Sequence, residues 1–161
     1  MGAEAFESIV GWIDYPMFIV TTVGGGERSG CLVAFASQVS IDPARFLACI
    51  SVTNHTYGVA ARASAVAVHV IPEDREDLAE IFGGETGDAA DKFGETGWRP
   101  GPEDLPILTG CPSWFAARIV DRVPLGDHVG YLVEPFAGED GLKGSFLPFS
   151  SAKSIHPGHE P

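Results

Sequence analysis

Positive charge is what this sequence has least of. Ten Lys and Arg stand against 22 Asp and Glu in 161 residues, for a formal net charge of −12. Phosphate backbones are held by clustered Lys and Arg, so a nucleic-acid binder is excluded, and an anionic membrane surface is disfavoured on the same ground. Cysteine is scarcer still. Cys31, Cys49 and Cys111 are odd in number and have no Cys-x-x-Cys spacing. Cys31 and Cys49 lie inside apolar runs, where a free thiol behaves as a small hydrophobe, so no structural disulfide is expected. The five histidines lack i, i+4 pairing and cysteine partners, which argues against a metal site. No apolar run approaches the roughly 20 residues needed to cross a bilayer. Residues 1–14 carry three acids and no base, unlike a secretory leader, so the expectation is a cytoplasmic protein. There is no Gly-x-Ser-x-Gly elbow and no Walker loop, and Gly24-Gly25-Gly26 lacks the spacing of a dinucleotide fingerprint. Trp12, Trp98 and Trp114 are too dispersed to form a nucleic-acid stacking platform.

Apolar residues make up 45% of the chain, and 20 Gly with 12 Pro punctuate them. That balance suits a folded, turn-rich β protein of one domain spanning 1–161, with a core over about 15–150. Phe6, Ile9, Val10 and Ile13 recur at helical spacing and predict a short amphipathic helix over Ala3–Ile13, stopped by Pro16. Strands are expected over Met17–Val23, Gly30–Ala36, Phe46–Val52, Ala65–Ile71, Ser113–Val123 and Asp127–Glu134, with a last apolar run at Ser145–Phe149. The glycine triplet reads as a hairpin loop and Asp42-Pro43 as a turn. A helix from Asn54 or Thr56 to about Ala63, and another from Pro72 to about Phe82, complete the count. Gly83–Gly110 reads as a long loop with one helical turn at Asp88–Phe93, and the tail beyond Ser150 as frayed. Six or seven strands with two or three inserted helices make a mostly β, α+β domain on an antiparallel barrel.

The stretch that begins at Gly30 carries the chemistry. An apolar strand, a polar corner, a second apolar strand and a polar triplet opening a helix follow one another. Ser37, Ser40, Ser51, Asn54 and Thr56 therefore gather within a few turns of chain. Hydroxyls and amides at strand ends, beside the fresh N–H groups of a helix start, suit a phosphorylated ligand. Asn54 and Thr56 equally suit a plain helix cap, and the two roles can coexist.

The Ser-x-x-Ser-x-x-Pro corner from Ser37 to Pro43, the helix start after the next strand, and Gly126-Asp127-His128 on a later strand resemble the flavin reductase-like family. The resemblance spans Tyr15 to Pro135, and Asp42-Pro43-Ala44 departs from it where most relatives carry Pro-Pro. It implies a six-stranded antiparallel Greek-key split β-barrel with short flanking helices, paired as a homodimer with flavin near the subunit interface. It also implies FMN (or FAD) as cofactor, NAD(P)H as co-substrate, and a monooxygenase as the partner that receives reduced flavin. Phe35, Ala36, Ser37, Gln38, Val39 and Ser40 would lie along the flavin ring, and Ser51, Asn54 and Thr56 would hold its phosphate. Phe93 matches an aromatic position near the flavin, with Lys92 offering a cation. Gly126, Asp127 and His128 would lie beside the nicotinamide, which His128 would position.

Each assignment has a plainer alternative. Ser40 could bond only its own turn, Phe93 could be core with a solvated Lys92, and His128 could steady a turn through Asp127. His55 is a weaker candidate for charge near the phosphate, and His69, between two valines, reads as a core or interface histidine. For the whole protein the alternatives are a non-enzymatic FMN-binding electron-transfer protein and a deazaflavin-binding split barrel.

Overall fold

A computed structural model describes residues 2–84 and 92–152. The elements in chain order are α1 (Gly2–Trp12), β1 (Phe18–Gly24), β2 (Glu27–Val33), β3 (Ala36–Ile41), β4 (Ala44–Ser51), α2 (His55–Ala60), β5 (Ala65–Val70) and α3 (Glu76–Gly84). They continue with β6 (Trp98–Pro100), β7 (Pro106–Leu108), β8 (Ser113–Pro124), β9 (His128–Asp140) and α4 (Phe149–Ala152). Seven strands form one antiparallel sheet in the order β2-β1-β5-β8-β9-β4-β3, and β6 and β7 form a separate ribbon.

The two edge strands of the large sheet, β2 and β3, are consecutive in the chain and separated only by Ala34 and Phe35. The sheet has therefore curled so that its two edge strands come together at this link without pairing to each other. Val20 of β1, Val33 of β2, Ala48 and Ile50 of β4, Val66 and Val68 of β5, and Tyr131 and Val133 of β9 fill the interior as one cluster. A six-stranded barrel was expected, with a strand over Gly30–Ala36 leading into a polar corner. Instead, β2 stops at Val33, and the corner residues Ser37–Ser40 form a strand of their own, β3. The added strand comes from that break. The Asp42-Pro43 peptide, which is cis, makes the tight turn from β3 to β4.

β1 and β5 are buried along both faces, because each has a second layer outside the barrel. Ile19 packs with Leu78 and Phe82 of α3, while its neighbour Val20 faces inward. α3 begins at Glu76 rather than Pro72, since Pro72 is drawn into a bridge with Phe146. The run at Ser145–Phe149 is a strap: Leu147 donates to the Ile71 carbonyl and receives the Met17 N–H, pinning the chain before β1 to the end of β5. Part of the long Gly83–Gly110 loop is ordered as the β6–β7 ribbon and a 3-10 turn over Lys92–Glu95. The helical turn expected at Asp88–Phe93 falls largely outside the described residues. β9 runs six residues beyond the expected Glu134, to Asp140.

Burial pushes the thiols of Cys31 and Cys111 up to about 11 and about 12, which keeps them protonated and inert. His69 is a core histidine. Its Nδ1–H donates to the Ile19 carbonyl (3.0 Å) and its Nε2 accepts the Leu108 N–H (3.1 Å), so one imidazole ties β5 to β1 and to the ribbon. Accepting the Leu108 N–H at Nε2 requires the neutral ring, and burial lowers its pKa from 6.5 to about 4.

In the unfolded chain this imidazole takes up its proton at higher pH than in the fold. Stability is therefore full above 6.5 and falls as pH drops towards 4. The loss over that window is on the order of 3 kcal/mol from this residue. Gln can make the same two hydrogen bonds without titrating. Urea unfolding of His69→Gln between pH 7 and 4 is expected to show a visibly shallower acid decline than the parent.

Candidate functional site

The barrel interior is filled by side chains, so a ligand of any size must sit at its rim or on its outer face. One rim is where chemistry collects. Ser51, the last residue of β4, lies in register opposite His128, the first residue of β9. The turn before β9 is closed by Leu125 N–H donating to the His128 carbonyl (2.9 Å), and Gly126 takes a φ of +122° that an L side chain would strain. Val52 N–H donates to the Asp127 carbonyl (3.0 Å), which fixes this turn against the end of β4.

The His128 Nδ1 lies 2.8 Å from Asp127 Oδ1. A carboxylate can only accept, so Nδ1 carries the proton and Nε2 is left to face a ligand. On the other side the Phe35 ring stands 5.1 Å from the imidazole, tilted by 51°. The Phe35 carbonyl accepts the Cys49 N–H (2.9 Å), so the residue that links β2 to β3 is held against β4. The structure thus brings Phe35, Ser51, Gly126, Asp127 and His128 to one rim.

The remaining expected residues are spread more widely. Ala36 pairs with Ala48, Ser37 with Leu47, Gln38 with Phe46 and Ser40 with Arg45. Ser40 therefore lies at the far end of β4 from Ser51, six strand positions or roughly 20 Å away. Phe35 and Ala36 adjoin the His128 rim; Ser40 does not. Ser37 Oγ donates to the Gln38 carbonyl and Gln38 Nε2 to the Ser40 carbonyl, both within β3. Val39 sits in a bulge, half exposed. As the terminal strand, β3 offers its outer backbone edge to a ligand.

At the start of α2, Asn54 is an N-cap whose Oδ1 accepts the Thr56 N–H at 2.8 Å. Arg122 donates to the Ala60 and Ala63 carbonyls (3.0 and 2.8 Å), so α2 is pinned at both ends. The Thr56 hydroxyl points inward and meets Ser29 Oγ at 2.7 Å, fully buried. The hydroxyl that remains outside beside Ser51 belongs to Thr53, 3.0 Å from Ser51 Oγ. Thr53 was missed, although a hydroxyl directly after a strand and before a cap is a signal the sequence carries. His55 is tied by Nε2 to Glu27 Oε2 (2.6 Å), and Arg62 reaches Glu27 Oε1 (3.1 Å). The His55 bond first, then the Arg62 bond, holds the Glu27 carboxyl below its usual range.

Phe93 and Lys92 lie in the fold's interior. Phe93 is buried edge-on between Phe82 and Trp98 in the cluster under α3, away from Phe35, Ser51 and His128. Lys92 is buried with Nζ donating to the Gly30 and Phe82 carbonyls, both at 3.2 Å, so its charge is directed into the fold. The β2–α3 packing that encloses them depends on residues distant in sequence. Among the described residues no cluster of His, Cys, Asp and Glu is placed to hold a metal ion, and no helix is long and apolar enough to cross a membrane.

Comparison with known proteins places this geometry in a family. Residues 10–146 match the flavin reductase like domain, and the chain belongs to that family. It is 33% identical over 110 residues to an "FMN reductase (NADH) RutF" of Bradyrhizobium diazoefficiens, covering 68% of this chain and 61% of that protein. It is 30% identical over 143 residues to the reductase component of the flavin-dependent trigonelline monooxygenase of Acinetobacter baylyi, covering 84% of this chain and 44% of that protein. The chain thus spans about three-fifths or less of the length of these curated relatives. Among solved structures, the NADH:FAD oxidoreductase SgcE6 of Streptomyces globisporus superposes with a TM-score of 0.83 at 22% identity, over 93% of this chain and 89% of that one, which shows the shared fold.

The buried hydroxyl pair yields a stability prediction. Thr56→Val leaves Ser29 Oγ without this partner in the interior, which costs on the order of 1–3 kcal/mol. Chemical denaturation is expected to show that loss, whereas Thr53→Val, at the exposed position, changes stability by less than about 0.5 kcal/mol.

Proposed function

We propose that this protein is an NAD(P)H-dependent flavin reductase that binds FMN, or FAD, at the rim formed by Phe35, Ser51 and His128. The observation that carries the reading is the Asp127–His128 pair, held in register opposite Ser51 in a chain of the flavin reductase family. NADH is favoured as donor, because the Bradyrhizobium relative is named an NADH-dependent FMN reductase.

The residues present fit a flavin. The free edge of β3 supplies backbone N–H and C=O groups for a flat heterocycle, beginning at Ala36. The hydroxyls of Ser51 and Thr53 lie side by side outside the barrel and suit a phosphate. When bound, the flavin supplies an acceptor for hydride. The protein's own part is placement: Asp127 fixes the tautomer of His128, and Nε2 would then be left to position the nicotinamide.

The same proposal covers the partners. Homodimer formation is supported by α1, which buries none of its residues and exposes Phe6, Ile9, Val10 and Trp12. Delivery of reduced flavin to a monooxygenase is supported by the trigonelline monooxygenase reductase relative. A cytoplasmic site of action agrees with three free cysteines.

Titration with FMN, followed by absorbance, and NADH oxidation with FMN present test the reading. His128→Ala is expected to lower kcat/KM for NADH by about 10- to 100-fold, while the FMN Kd stays within about twofold. Wild-type protein that binds FMN but oxidises neither NADH nor NADPH would sink the enzyme reading in favour of a flavin carrier.

A further inference from the structure

We infer that Phe35 is a positioning residue for His128, setting the plane of the imidazole that meets the nicotinamide. This rests on the reductase reading above and adds a role that the flavin-lining assignment of Phe35 does not contain.

An imidazole on a strand end rotates about two side-chain bonds, and one contact cannot fix both. The Asp127 hydrogen bond sets the direction of Nδ1. Asp127 is 69% exposed and adjacent in sequence, so water competes for that bond and the ring can still swing with the carboxylate. The second constraint comes from Phe35, whose ring lies against the imidazole at 5.1 Å and 51°. A tilted aromatic contact of this kind defines the angle of the ring, which the hydrogen bond leaves open.

Phe35 is itself well anchored for the task. Its carbonyl is bonded to Cys49 N–H, and the next residue, Ala36, is in register with Ala48. The side chain nevertheless remains 54% exposed, which burial in the core does not explain. It also lines a cleft of about 280 Å³ with Val10, Ile13 and Tyr15. Phe35 thus acts through its ring contact to keep His128 turned towards its ligand.

A double-mutant cycle tests this, using kcat/KM for NADH at saturating FMN for the wild type, Phe35→Leu, His128→Ala and the double variant. Phe35→Leu is expected to lose about 3- to 10-fold, mostly through KM for NADH, the size of one aromatic contact. The double variant is expected to be no worse than His128→Ala. Phe35→Tyr keeps the ring and is expected to restore the rate. In flavin-free protein, the NMR shift of the His128 Cε1 proton is expected to move in Phe35→Leu and to hold in Phe35→Tyr. Equal losses from Phe35→Leu in both backgrounds, or no loss at all, would overturn the inference while leaving the reductase reading intact. A wild type without NADH:FMN activity overturns the reductase reading itself.

Discussion

The passage of the chain from β2 to β3 through Ala34 and Phe35 is the constraint on which the rest of this structure depends. These strands lie at opposite ends of the hydrogen-bonded order, yet three peptide steps, spanning at most about 11 Å, join Val33 to Ala36. Only a sheet rolled until its edge strands come together can satisfy that link. Rolling creates an enclosed interior, which Val20, Ile50, Val68, Tyr131 and Val133 fill, and so leaves no room for a ligand inside. It also brings Phe35, on the link, up against His128, at the start of a strand much later in the chain. Closure and the site are consequences of one short connection.

The distribution of charge follows a similar economy. Few cations are present, and several of the described ones are engaged in the fold. Arg122 caps α2, Lys92 is buried against carbonyls, and Arg62 shares Glu27 with His55. Arg75, Arg99 and Arg118 pair with Asp77, Glu139 and Glu103 near the surface, where such pairs contribute little to stability. The donors left at the rim beside His128 are accordingly neutral ones, among them the hydroxyls of Ser51 and Thr53. A net charge of −12 slows the approach of any anionic ligand, while local hydroxyls and amides are free of that repulsion.

Much of this was legible in the chain because the signals are local. Asn54 caps a helix because its side chain is short enough to bond the backbone two residues on. Asp42-Pro43 turns, Gly126 bends, and Asp127 bonds the residue beside it, all within a few residues. The two readings left open for Thr56 and for Phe93 could not be told apart for the opposite reason. A hydroxyl after a cap and an aromatic after a lysine look alike whether they face solvent or core. The side they face is set by Ser29 on β2 and by Phe82 on α3, neither of which is a near neighbour.

By itself, then, the order of residues determined the element types, the caps and turns, the antiparallel barrel class and the presence of a Ser corner and a Gly-Asp-His element. Alternation, capping and turn chemistry act over a few residues, so they can be read along a line. Which of those polar groups share a rim was decided only in three dimensions. Register places Ser51 opposite His128 and pairs Ser40, on β3, with Arg45 at the other end of β4. Pairing between strands is set by packing over the whole closed sheet, where a single break such as Ala34–Phe35 redirects every side chain that follows.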